Sequence, residues 1–287
     1  MSTIKIVTDE ASDIPFKHED LYDIEIIPIR INLGDESFLG RSELDSAEYY
    51  ETLKGAEDMP ETEPVSSFEF GELFSDLFEQ GYTDIIYVSS SSKASSTYYN
   101  AVQARDQFFE DIPEAKAKLN IYCIDSLSFS AGYGYAVVEA AKMADRGKDA
   151  QEIAQYLRSW FSKVGLCFGL LGLKFAKKSP FMPVDSAFVD DIIGLRPIMK
   201  AKNGEIEILS KVREGSVVSQ VTEEALKDLK KGAPYCIIYS DDSQLRDAAA
   251  ELLTDALGYP PADSYRIGAA IASHTGPEVI GVMFSAK

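Results

Sequence analysis

Short apolar runs separated by long segments of helical period fill the first half of this 287-residue chain. That alternation restricts it to βαβ units around a mainly parallel sheet. Residues 4–7, 24–29, 85–88 and 121–124 read as strands, and residues 47–53, 68–80, 97–110, 131–146 and 150–161 as helices. Residues 55–65, rich in Glu and Pro, interrupt the alternation and read as a long surface loop. After about residue 162 the pattern changes. Residues 165–173 form a Gly-spaced apolar strand, and 197–199 and 206–209 flank Asn203-Gly204, a hairpin signal with a loop expected to exceed two residues. Helices are expected at 217–230 and 243–257, around a strand at 235–239, with closing strands at 265–271 and 279–284. The expected class is α/β, in two domains: residues 1–162 with a mainly parallel sheet, and residues 163–287 with a mixed sheet and helices.

Composition is globular, with 45% hydrophobic and 26% charged residues. The net charge of −19 repels phosphate backbones and anionic lipid, which argues against nucleic acid as a partner. No apolar run reaches the roughly 18 to 20 residues needed to cross a bilayer, so neither membrane insertion nor export is expected, and the cytoplasm is the expected location. Cys123, Cys167 and Cys236 are far apart in apolar runs and read as buried strand thiols. With only His18 and His274, a histidine-rich metal centre is not available.

Four stretches could carry chemistry. Ser89 to Thr97 holds six serines in its first eight positions, directly after a strand and before a helix, where free N–H groups and the ends of parallel strands suit an oxyanion. A turn with Ser95 or Ser96 as helix cap is the simpler alternative. Asp125-Ser126 follows the next strand and leads to Ser130 and Gly132-x-Gly134, whose glycines read as close helix packing rather than a dinucleotide loop. Asp9 and Asp13 read either as Mg²⁺ ligands or as turn and cap residues, the latter explaining them at least as well. Ser273 to Pro277 places His274 in a tight turn between apolar strands. Pairing it with the serine stretch would suggest a hydrolase, but no GxSxG elbow exists, so His274 reads as a hydrogen-bond donor to a ligand.

Taken in order, these stretches resemble the DegV family of bacterial fatty-acid-binding proteins. The matching residues are Ile4 to Asp9 with Ser12-Asp13, Ser91-Ser92 with Ser95 and Thr97-Tyr98, Asp125-Ser126 with Ser130, Gly132 and Gly134, and His274 to Pro277. Weaker matches are Arg196 to Ile198, Asn203-Gly204 and Lys211 to Arg213. The resemblance covers essentially the whole chain. It implies a two-domain α/β fold with an apolar tunnel between the domains for one long-chain fatty acid, whose carboxylate would meet Thr62, Ser92 and His274. It also implies a carrier rather than an enzyme, without a cofactor beyond the bound fatty acid, which presents the carboxylate to a separate fatty acid kinase for phospholipid synthesis. The ligand-binding set expected is Thr62, Glu63, Ser91, Ser92, Ser95, Ser126, His274 and Thr275, with no catalytic or metal-binding residue.

The chain departs from the family pattern at three places. Glu63 stands where a hydroxyl is usual, Ser179-Pro180-Phe181-Met182 lacks the family's arginine, and Glu278 replaces a glycine. Each change makes the region more acidic or less basic. A binding protein of the same fold with a ligand other than a free fatty acid is therefore the alternative reading.

Overall fold

The computed structural model describes residues 3–184 and 194–287. The first part runs β1 (Ile4–Asp9), α1 (Phe16–Tyr22), β2 (Glu25–Ile27), β3 (Arg30–Leu33), β4 (Glu36–Leu39), α2 (Gly40–Glu43), α3 (Ser46–Gly55) and β5 (Glu61–Glu63). It continues with α4 (Ser67–Glu79), β6 (Asp84–Ser89), α5 (Thr97–Asp111), β7 (Asn120–Asp125), α6 (Ala131–Asp145) and α7 (Ala150–Phe161). Then come β8 (Val164–Leu170), β9 (Leu195–Lys202), β10 (Glu205–Arg213), α8 (Val217–Asp228), β11 (Tyr235–Tyr239), α9 (Ser243–Leu257), β12 (Asp263–Arg266), α10 (Ala269–Thr275) and β13 (Val279–Ser285).

Three sheets result. The first is wholly parallel, in the order β2-β1-β6-β7, and the second is mixed, in the order β10-β9-β8-β13-β11-β12. The third, β4-β3-β5, is small and antiparallel. The fold is thus α/β, with a parallel sheet in the N-terminal part and a mixed sheet in the C-terminal part. Every residue of β6 is buried, as expected for the centre of a parallel sheet covered on both faces. Helix α4 starts on a capping box in which Ser66 and Glu69 satisfy each other's backbone N–H groups, and it buries Phe70, Phe74 and Leu77 at helical spacing. Phe70 meets Tyr87 of β6 edge-on, with ring centroids 4.8 Å apart. One cluster of buried side chains contains residues of both large sheets, from Ile6 to Met283.

Several expectations are corrected. Residues 55–65 are not one long loop, because Glu61–Glu63 pairs with β3 and completes the antiparallel sheet. The strand expected at 265–271 divides into β12 and the start of α10, so His274 sits in the last turn of a helix rather than in a turn between strands. The hairpin loop holds two residues, since Lys202 pairs with Glu205, and Asn203 and Gly204 take φ values of 53° and 75°. Two successive positive φ values make a turn whose twist matches the strands, which is why Asn-Gly serves there.

Candidate functional site

The carboxyl ends of β1, β6 and β7 deliver three polar turns to one crevice, the place where open parallel sheets leave room for ligands. Asp9 at the end of β1 organises them. Fully buried, it accepts hydrogen bonds from the N–H groups of Ala11 and Ser90 and from the hydroxyls of Tyr87 and Tyr133. Burial still raises its pKa, with those bonds opposing the rise. Four donors around one carboxylate describe a structural hub, and among the described residues no group of three or more His, Cys, Asp or Glu side chains is placed to hold a metal ion.

Facing these turns is a cavity with about 1110 Å³ between its walls, part of it open to solvent. Leu166, Phe168, Ile206, Ile238 and Val279 of the mixed sheet form an apolar wall, joined by Phe129 and Ile271. Thr62, Glu63, Ser90, Ser95, Thr97, Ser130, His274 and Thr275 supply polar lining. Gly281 lets the Phe168 side chain lie close, for a Cβ there would be 3.0 Å from that of Phe168.

The polar centre is His274. Its Nε2 lies 2.9 Å from the Thr62 hydroxyl and its Nδ1 lies 3.3 Å from that of Ser179, while the Phe181 ring meets the imidazole edge-on at 4.8 Å. Burial pushes the His274 pKa down to about 4, so the ring is neutral at physiological pH. The ring therefore offers one donor and one acceptor nitrogen. Its hydrogen-bond partners among the described residues are Thr62 and Ser179, and none is a serine of the 89–96 stretch.

Of the residues singled out from the sequence, the structure brings Thr62, Glu63, Ser95, His274 and Thr275 to the cavity. Ser91, Ser92 and Ser126 stand outside its lining. Ser91 is buried, its hydroxyl accepting from Lys93 N and its N–H donating to Ser128 O. The Ser92 N–H donates to Asp125 Oδ1 at 3.1 Å, and buried Ser126 forms a local turn with Ser128. These bonds shape the serine turn, whose tip also meets the β9–β10 hairpin through the Lys93–Glu205 ion pair at 2.7 Å. Ser96 occupies the cap position of α5 without a side-chain cap bond, while Ser95 Oγ accepts from Thr97 N. Glu63 is exposed at the cavity rim and accepts from Asn32 Nδ2 at 2.6 Å.

Two further lining residues, Ser130 and Phe181, were noted in the sequence but not placed in the expected ligand-binding set. Ser130 holds φ 49° and ψ −135°, a conformation that costs a non-glycine residue energy, and its hydroxyl donates to Asp13. Asp13 Oδ1 in turn accepts from Gly268 N at 2.7 Å, tying the α6 start to the approach of α10. Phe181, at the position where the resemblance expects arginine, places an aromatic ring on His274 instead.

The pattern of the family described as "Uncharacterised protein, DegV family" matches residues 3–287. The chain belongs to the DegV family. A DegV domain-containing protein of Caldanaerobacter subterraneus subsp. tengcongensis is 27% identical over 292 residues, covering 100% of both chains. Among solved structures, a stearic acid-binding protein from Eubacterium ventriosum superimposes with a TM-score of 0.86 at 20% identity, over 99% of each chain. The Streptococcus pneumoniae fatty acid kinase B3 protein, loaded with linoleic acid, gives 0.84 at 17% identity, over 99% of this chain and all of that one. These likenesses establish the DegV fold for the chain.

Proposed function

We propose that this protein is a carrier that holds one long-chain fatty acid in the cavity, with its head group at Thr62 and His274. The carrying observation is the cavity itself, apolar along the mixed sheet and polar at one end, where the neutral His274 ring stands between two hydroxyls. Burying a 16-carbon chain at about 0.8 kcal/mol per methylene supplies roughly 10 kcal/mol before ordering costs, enough for retention through purification. Fatty acids in the solved relatives of this fold support the same reading.

The protein acts on its ligand by sequestration, not by chemistry. The described hydrogen bonds of the His274 ring go to Thr62 and Ser179 and to no serine of the 89–96 stretch, the pairing that a hydrolase reading needs. The head group would be offered at the polar end to a separate kinase in the cytoplasm. No helix among the described residues is long and apolar enough to cross a membrane. Native mass spectrometry of protein purified from bacteria tests the reading. The expected result is one added mass corresponding to a single acyl chain, lost on denaturation. Protein that is ligand-free as purified and gives no thermal shift with fatty acids of 12 to 18 carbons would overturn it.

A further inference from the structure

Among the described residues, the cavity lining contains no lysine or arginine, and its only ordinarily charged side chain is the carboxylate of Glu63. The undescribed residues 185–193 carry three aspartates and no cation by sequence. An ionised carboxylate in an apolar pocket is costly unless a cation or several donors meet it. The donors here are neutral. Ser130 donates to Asp13, Thr275 donates to the carbonyls of Ile271 and Gly276, and one of the Ser95 and Thr97 hydroxyls donates to the other. That leaves Thr62, Ser90, the second hydrogen of that pair and the His274 ring to meet a head group, with no cation among them.

Other charges near this end do not reverse the balance. Asp9, Glu10 and Asp13 lie buried in and after β1, and burial raises the pKa of each. Glu61 and Glu63 are on β5, and Glu278 follows α10. The Arg41 guanidinium on α2 is paired with Glu19, and Arg30 stands opposite Glu63 in the β3–β5 ladder and donates to Ser37. Lys174 donates to the Ala56 carbonyl, Arg266 pairs with Asp241, and none of these nor Lys177 or Lys178 belongs to the lining. Tyr49 on α3 bonds Ser273 and stays protonated.

Resting on the fatty acid reading, we propose that this cavity takes its acyl ligand with an uncharged head group, so a fatty acid binds as the protonated acid. The proton comes from water, one per ligand, and it converts the carboxylate into a group with an O–H donor. With the ring proton on Nδ1 toward Ser179, Nε2 accepts from that O–H in place of, or together with, the Thr62 hydroxyl. The same geometry admits neutral head groups such as a primary alcohol.

Calorimetric titration of delipidated protein with dodecanoic acid and dodecan-1-ol, in two buffers of different ionisation enthalpy, tests this. The expected result at pH 8 is uptake of close to one proton per dodecanoic acid. Its Kd should rise about tenfold per pH unit from 6 to 8, because the free carboxyl, with a pKa of about 4 to 5, is almost wholly ionised there. Dodecan-1-ol should bind with a Kd independent of pH. Dodecanoic acid that binds without proton uptake and with a flat Kd would overturn the inference and leave the fatty acid reading standing. Failure of both probes to bind would overturn both. Glu63→Gln locates the proton: uptake that persists in this variant places it on the ligand, and uptake that disappears places it on Glu63 and overturns the inference.

Discussion

The Thr62 hydroxyl stands 2.9 Å from His274 Nε2 across 212 positions of sequence, fastening the edge strand β5 to the last turn of α10 at the polar end of the cavity. Among the described residues neither has a charged partner there, and burial is the cause that holds the imidazole neutral. The contact is therefore worth what a neutral hydrogen bond is worth, and a ligand head group displacing or joining it gains on that scale.

His274→Ala should weaken fatty acid binding by about two- to tenfold, the equivalent of one neutral hydrogen bond of about 0.5 to 1.5 kcal/mol. Titration of delipidated variant, with the folded fraction checked by thermal unfolding, measures the loss. Affinity equal to wild type in a destabilised protein would assign His274 to packing alone.

Gly134→Ala should destabilise the protein by about 1 to 3 kcal/mol, although alanine favours a helix interior over glycine by about 1 kcal/mol. A Cβ at Gly134 would lie 2.2 Å from the Ser12 carbonyl oxygen, and the obstructing atom is backbone. Urea unfolding at pH 7 reads the difference. An unchanged midpoint would mean that α6 can draw back from the turn after β1.

Asp13 makes a pH-dependent contribution whose sign is fixed by its environment. Burial raises its pKa from 3.8 to about 7, against the opposing bonds from Ser130 and Gly268. The folded state then holds a proton that the unfolded state releases, so this group's contribution weakens stability as pH rises from about 4 to 7 and is constant above that. Asp13→Asn keeps an oxygen for Gly268 N and should flatten the fall in urea midpoint between pH 4.5 and 7. Asp9 and Glu10 are raised in the same sense, while His274, held at about 4, adds stability as pH rises. The quantity that isolates Asp13 is therefore the wild-type midpoint minus the variant midpoint, which should fall as pH rises across this window. A variant with the full wild-type slope would contradict the assignment.

The sequence made the large elements legible because their signals are long. Helix α4 repeats Phe70, Phe74 and Leu77 at helical spacing behind a capping box, and β6 is an apolar run that is buried throughout. The segment from β2 to β5 was not legible. Its strands hold three or four residues each, and β5 is Glu-Thr-Glu, a strand held by pairing with β3 without apolar alternation of its own. Helix α10 has the sequence Ala-Ala-Ile-Ala-Ser-His-Thr, too short and too uniformly small or apolar for a helical period to stand out after the β12 residues.

At the site, composition located the serine turn but could not say which hydroxyls face the cavity. Ser90 and Ser95 belong to the lining, whereas Ser91 turns inward to the Lys93 N–H and Ser92 is absent from the lining. That choice depends on backbone dihedrals fixed by Asp9 and Asp125, whose side chains accept from Ser90 N and Ser92 N. The unusual backbone at Ser130 is equally invisible in a residue name.

The most direct test of the account is stoichiometry with the cavity filled. Ile206 projects from the edge strand β10 into the lining, where residues alternate between exposed and half-buried, so Ile206→Trp adds bulk at a position with room to adjust outside the core. Calorimetry of delipidated proteins with dodecanoic acid at pH 6 should give one ligand per wild-type chain and at least tenfold weaker binding in a variant that unfolds at a similar temperature. Wild-type stoichiometry and affinity retained in folded Ile206→Trp would contradict the claim that this cavity is where the acyl chain lies.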